Sequence, residues 1–278
     1  MRVQTGSEPR PPQADAPPPG SLAQFAVTLV RNGVPIWGFF SQGWSPATTL
    51  VVYWAETLIG TLLIASRMAI HRHLTHKRGY EIEAGPATIT VESGKGAPRK
   101  LRLGYVSAFL VGALAFILVH GIFLFALIKL VLPQTDGGTV DPQALSQGGL
   151  ATGGLLVLGF FLDLVGMRER PFAWIRSMAE GAFSRIVVVH ITIVIGMGLA
   201  MLLHRARPLF TLFVALKFLA DVSAHTPQWR PKEAPAWMSR LLNRVPDKTR
   251  GSEDFGAYWK RTEAQERARE AEDELVDG

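Results

Sequence analysis

The sequence predicts an all-α membrane protein: a six-transmembrane-helix bundle with a small cytoplasmic β-hairpin loop and a charged C-terminal tail. Three observations carry this. Hydrophobic residues make up 48% of the 278-residue chain and charged residues 19%, below the roughly 25% usual in soluble domains. The 29 Lys/Arg and 23 Asp/Glu fall in blocks, so long stretches are almost free of charge. Those stretches have the ~17–25-residue length that a bilayer crossing needs. There is no cysteine. This excludes a disulfide framework, thiolate-held iron–sulfur clusters, a Cys nucleophile and Cys-ligated zinc.

Residues 1–21 contain the run RPPQADAPPPG. Proline at that density opposes both helix and packed core, so this is a disordered tail. With Arg31 interrupting the next apolar run and no cleavage site standing out, it does not read as a secretory signal. The membrane domain occupies 22–224, with spans at 22–40, 46–69, 103–132, 148–165, 183–203 and 208–224. The first holds Arg31, Gly33 and Pro35 and is predicted to kink. The third is long and should tilt or protrude. The fourth is rich in glycine, including Gly148, Gly153 and Gly159, which permits close helix packing. The sixth is short.

The loop at 70–102 is predicted to form a β-hairpin. Tyr80–Glu83 and Thr88–Glu92 alternate at period two, and Ser93-Gly94-Lys95-Gly96 can turn. The Gly-Lys-Gly lacks the spacing of a phosphate-binding loop. In the tail, 225–278, residues 235–245 place Trp237, Leu241 and Val245 on one face, as in a helix lying among headgroups. Residues 257–275 read as a solvated helix or a disordered tail.

Loop charge sets orientation. The second loop carries Arg67, Arg72, Lys77, Arg78, Lys95, Arg99, Lys100 and Arg102, and the fourth Arg168, Arg170 and Arg176. The first and third carry no Lys or Arg, and the fifth carries Arg205 and Arg207. The positive-inside rule puts both termini in the cytoplasm of a multi-pass inner-membrane protein. The partners implied are the bilayer and anionic lipid at its cytoplasmic face. The basic charge is not accompanied by a nucleic-acid-binding motif. Trp37, Trp44, Trp174, Trp229 and Trp237 fall near expected interfaces, as an aromatic belt does.

An ionisable group at the centre of a span costs about 2.5–3.5 kcal/mol on the insertion scale, which makes such groups the candidates for function. The sharpest set is Lys217-x3-Asp221-x3-His225, which falls on one helix face. Asp221 and His225, joined by His190 and His120, make an N/O ligand set suited to zinc, iron or manganese. Arg185 or Lys217 then positions an anionic substrate. The structural alternative makes Lys217–Asp221 a mutually neutralising pair. Glu56 lies mid-span beside Tyr53 and Trp54. It is a general base or proton carrier, or else an ion-pair partner of Arg31 or Lys217, since an unpaired buried charge is the costlier arrangement. Asp163 is expected to be solvated or paired with Arg168. His71, His73 and His76 read as part of a basic juxtamembrane face.

Several short pieces, in order, carry a resemblance. They are Asn32-Gly33-Val34-Pro35, Gly43-Trp44, Tyr53-Trp54-Ala55-Glu56, His120-Gly121-Ile122-Phe123, Arg185-x4-His190-x2-Ile193-x2-Gly196 and Lys217-x3-Asp221-x3-His225. In these the chain resembles an uncharacterised family of bacterial and archaeal polytopic membrane proteins, a domain of unknown function. The resemblance covers about 30–226 and implies an integral membrane protein, with no activity attached. Three functions stay open. One is an intramembrane metal site with enzymatic chemistry. The second is an ion- or proton-coupled small-molecule transporter using Glu56, Arg31 and Lys217, in which a homodimer supplies the missing repeat. The third is a non-catalytic scaffold or assembly factor. No particular protein partner is implied.

Overall fold

Serine before proline starts a 30-residue helix. Ser45 is extended (φ −68°, ψ 153°) and its hydroxyl accepts from the Thr48 N–H at 3.1 Å, with Pro46 in the first turn. This is the N-cap pattern in which proline's missing N–H costs nothing. The helix that follows, α2, runs Pro46–Thr75 and ends on His76 in the left-handed conformation (φ 48°). The computed structural model describes residues 21–81, 88–91, 99–102, 104–134, 138–183, 202, 207–223, 231, 233–244 and 253–276.

Before α2 comes α1 (Ser21–Ser41), which continues through Pro35. Helix α3 (Tyr105–Ala126) extends through a π turn at Leu127–Val131 and a 3-10 turn at Leu132–Gln134. Helix α4 (Pro142–Leu164) is capped by Asp141, whose carboxylate accepts from the Gln143 N–H at 2.9 Å. Residues 172–183 are helical and are called α5. Then come α6 (Arg207–Ser223), α7 (Ala236–Leu242) and α8 (Phe255–Asp273). The expected span at 183–203 lies almost wholly outside the described residues.

Strands β1 (Thr88–Val91) and β2 (Arg99–Arg102) pair antiparallel, with Thr88 opposite Arg102 and Val91 opposite Arg99. Tyr80 is not part of a strand, as its alternation with Ile82 suggested. It closes a 3-10 turn (Arg78–Tyr80) because its ring is drawn inward, edge-on to Phe172 at 4.8 Å, and is 1% exposed.

Among the described residues, three helices are long and apolar enough to cross a bilayer: Pro46–Thr75, Tyr105–Gln134 and Pro142–Leu164. Their surfaces agree. Leu118, Val119, Ile122 and Phe125 of α3 and Leu150 and Phe161 of α4 are exposed, whereas Glu56, Lys217 and Asp221 are buried. A chain with apolar residues outside and charges inside is arranged for lipid. It is a membrane protein.

Helix α4 packs on α1 and α2, α3 on α2, and α6 on α1. Two apolar cores form at opposite ends of α2. One joins Phe39, Leu50, Tyr53, Leu127, Phe210 and Phe213; the other joins Met68, Tyr80, Phe109, Phe172 and Ile175. At the first end, the Trp44 indole lies between Gly38 of α1 and Gly148 of α4. A Cβ on either glycine would fall 2.3 Å from the ring. Trp44 therefore acts as a packing wedge between α1 and α4. Gly38→Ala and Gly148→Ala are each expected to cost about 1–3 kcal/mol by overpacking. Thermal unfolding of the detergent-solubilised protein checks this, and unchanged midpoints in both would count against the wedge.

Candidate functional site: a charged cavity within the bundle

Between the two cores, charged and polar side chains gather among apolar ones around a cavity of about 390 Å³. On α1 its wall is Gln24, Val27, Thr28 and Arg31, a spacing of three and four that keeps one helix face inward. On α2 it runs from Leu50 to Arg67, about 26 Å at 1.5 Å per residue. Helices α3, α4, α5 and α6 contribute, among others, His120, Asp163, Trp174 and Lys217.

Two cations and two carboxylates meet at its middle. The Lys217 ammonium lies 2.8 Å from Asp221 Oδ2 and 3.2 Å from Glu56 Oε2, and it donates to Asn32 Oδ1 at 2.9 Å. Asn32 in turn donates from Nδ2 to the Thr28 carbonyl at 3.0 Å, which fixes the amide orientation. Arg31 lies 3.1 Å from Glu56 and 3.6 Å from Asp221. The ammonium also sits 4.5 Å from the Tyr53 ring centre, a cation–π distance. Charges of both signs cancel, which is what makes their burial tolerable.

A second pair stands at the far end. Arg67 Nε lies 2.7 Å from Asp163 Oδ2, and Gln24 donates to the other carboxylate oxygen. The Arg67 guanidinium also covers Phe160 at 5.1 Å. Asp163 is thus paired with Arg67 inside the bundle rather than standing in solvent. Helix α2 continues past its apolar stretch, so Arg67 is a cavity residue rather than a loop cation.

Of the candidate residues, Arg31, Glu56, His120, Lys217 and Asp221 share this cavity. Arg185, His190 and His225 lie outside the described residues. Among the described residues no group of three or more His, Asp or Glu side chains is gathered for a metal. His120 stacks on Phe116 at 6.2 Å, and Asp221 is engaged by Lys217. Sequence reasoning passed over Asn32 as a partner of Lys217, and it passed over the Arg67–Asp163–Gln24 group. A polar residue one position from Arg31 on an apolar helix was the available signal for the first.

His71 differs from its reading as a basic surface residue. It is 0% exposed. Nε2 lies 3.0 Å from the Arg170 carbonyl and Nδ1 2.8 Å from the Tyr80 hydroxyl. A carbonyl only accepts, so Nε2 carries the proton and Nδ1 accepts from Tyr80. Burial pushes the Tyr80 phenol well above the usual tyrosine range, which keeps that donor protonated.

The sequence profile of a family of unknown function, DUF6498, matches residues 15–236. The chain belongs to this family. The match covers the whole cavity and stops before α8. No curated protein and no solved structure shows significant similarity to the chain.

Proposed function

We propose that the protein is a multi-pass carrier that couples a proton to the movement of a small anionic solute through this cavity. The observation that carries the reading is the four-charge group: Glu56 faces both Arg31 and Lys217 on the cavity wall. A proton taken up by Glu56 cancels its charge. Arg31 and Lys217 then share one carboxylate, Asp221, and the site holds one net positive charge. A carboxylate or similar anion neutralises it. Release of the solute returns the cations to Glu56 as its proton leaves. Binding of the proton and the anion is thereby mutually reinforcing.

The topology that goes with this is six spans, with both termini and the β1–β2 hairpin on the cytoplasmic side of the inner membrane. Two things support counting α1 and α6. Their polar residues Arg31, Lys217 and Asp221 close into one neutral group with Glu56 of α2, and Val30, Leu212 and Leu219 on the same helices are exposed. Residues 183–203 supply the fifth span by sequence. Helix α7, with Trp237 and Leu241 exposed one turn apart, is suited to lying among cytoplasmic headgroups.

Proteoliposomes holding a pH-sensitive dye, challenged with a panel of small carboxylates, amino acids and phosphates, test the coupling. A solute-dependent proton signal in wild type is expected, with a loss of at least about 10²-fold in Glu56→Gln. Silence across the panel in wild type, or an undiminished signal in Glu56→Gln, would sink the proposal. The metal reading keeps one supporting observation, that His120 and Asp221 line the same cavity. Stoichiometric zinc, iron or manganese, lost in Asp221→Ala, would favour it instead.

A further inference from the structure

The last turn of α8 grips the base of the bundle. Asp273, 2% exposed, pairs with Arg176, and Glu274 pairs with Lys77. The second carboxylate oxygen of Glu274 accepts from the Ala173 N–H, in the first turn of α5, at 3.3 Å. The backbone follows: Arg78 N–H donates to the Leu275 carbonyl at 2.8 Å, and Lys77 and Val276 form an antiparallel bridge. Helix α8 is densely charged from Lys260 onward. A carboxylate buried at the end of such a helix is costly unless its cation is held in place. The contact is therefore a specific docking point and not an incidental surface pair.

The element it holds is a wall of the cavity. Ala173 and Arg176 of α5 meet the tail, while Trp174, Ser177, Met178, Gly181 and Ala182 line the cavity. Those five recur at helical spacing on one face. The socket (Lys77, Ala173, Arg176) lies inside the family match and the plug (Asp273, Glu274) outside it.

We propose that the C-terminal segment is a latch on the cavity. Docked, Asp273 and Glu274 hold α5 in the wall and limit entry at the Arg67–Trp174 end. Released, they let α5 move and the cavity open. The latch rests on the cavity being the functional site, as read above, and not on which solute or ion uses it.

Access is measurable because the chain has no cysteine of its own. Gly181→Cys introduces a single thiol on the cavity wall at a position where an added Cβ meets nothing within 4 Å. In lipid nanodiscs its labelling by a charged, membrane-impermeant maleimide is slow when the latch is closed. Adding Asp273→Ala and Glu274→Ala is expected to speed labelling about tenfold, the effect of losing two partly buried charge pairs. A monodisperse variant that labels at the parent rate overturns the latch. A charge exchange guards against misfolding. Arg176→Asp should speed labelling, and Arg176→Asp with Asp273→Arg should slow it again; equal rates in the two also overturn the proposal. Transport assays read a different quantity. A silent solute panel with these labelling differences intact removes the carrier and leaves the latch, and the converse removes only the latch.

Discussion

Lys217→Met is expected to be the most damaging single substitution in the chain. The ammonium faces Glu56, Asp221 and Asn32 at once, at 3.2, 2.8 and 2.9 Å. Without it two buried carboxylates share Arg31, and the Asn32 carbonyl oxygen loses its donor. Breaking a buried pair from one side costs about 3–5 kcal/mol because the remaining charge stays buried. Thermal unfolding in detergent should show it as a large fall in midpoint. The double variant Lys217→Met/Asp221→Leu removes one charge of each sign and leaves Arg31–Glu56 as a balanced pair. It should recover a substantial part of the loss. A single variant as stable as wild type would mean the network is solvated enough to do without its cation. A double variant no better than the single would mean that the damage is packing, not charge.

His71→Phe comes next. The ring keeps the volume but leaves the Tyr80 hydroxyl and one of the two bonds to the Arg170 carbonyl unmade; Lys77 still donates to that carbonyl at 3.0 Å. A buried polar group left without its partner costs about 1–3 kcal/mol, and an expected loss of about 2–3 kcal/mol follows. His71→Phe/Tyr80→Phe removes donor and acceptor together and should be milder than the single change. If the two are equally destabilised, the hydrogen bond contributes little and the site is held by its rings.

The pairing of Glu56 with Arg31 or Lys217 was legible because these charges interrupt apolar stretches at a similar depth. Few partners are available in lipid, so depth alone narrows the choice. Arg67 was harder. It stands among basic loop residues in the sequence, and only the continuation of α2 to Thr75 carries it inside. Asp163 was misread for the same reason, with its partner nearly a hundred residues away. His71 is flanked by Arg72 and His73 and looks like surface; its burial comes from Arg170 and Tyr80, which no local pattern announces. The docking of α8 had no local signal either. Beyond its aromatic first turns that helix is mostly charged, and its two anchoring acids differ from its other acids only in what lies opposite them. Helices and charge depth are properties of short windows, whereas the cavity and the latch depend on where those windows meet.

The Trp44 wedge sits at the opposite end of the bundle from the latch. There the Ser45 hydroxyl donates to the Thr139 carbonyl at 2.6 Å, and the Asp141 N–H donates to the Thr48 hydroxyl at 2.9 Å. This end has the makings of a pivot. A tilt of about 10° about Gly148 displaces Asp163, roughly 22 Å further along α4 at 1.5 Å per residue, by about 4 Å. That is enough to part Asp163 from Arg67. A small rotation at a tightly packed hinge thus becomes a full break of an ion pair at the other end, and the lever arm is about three quarters of the ~30 Å hydrocarbon thickness of a bilayer.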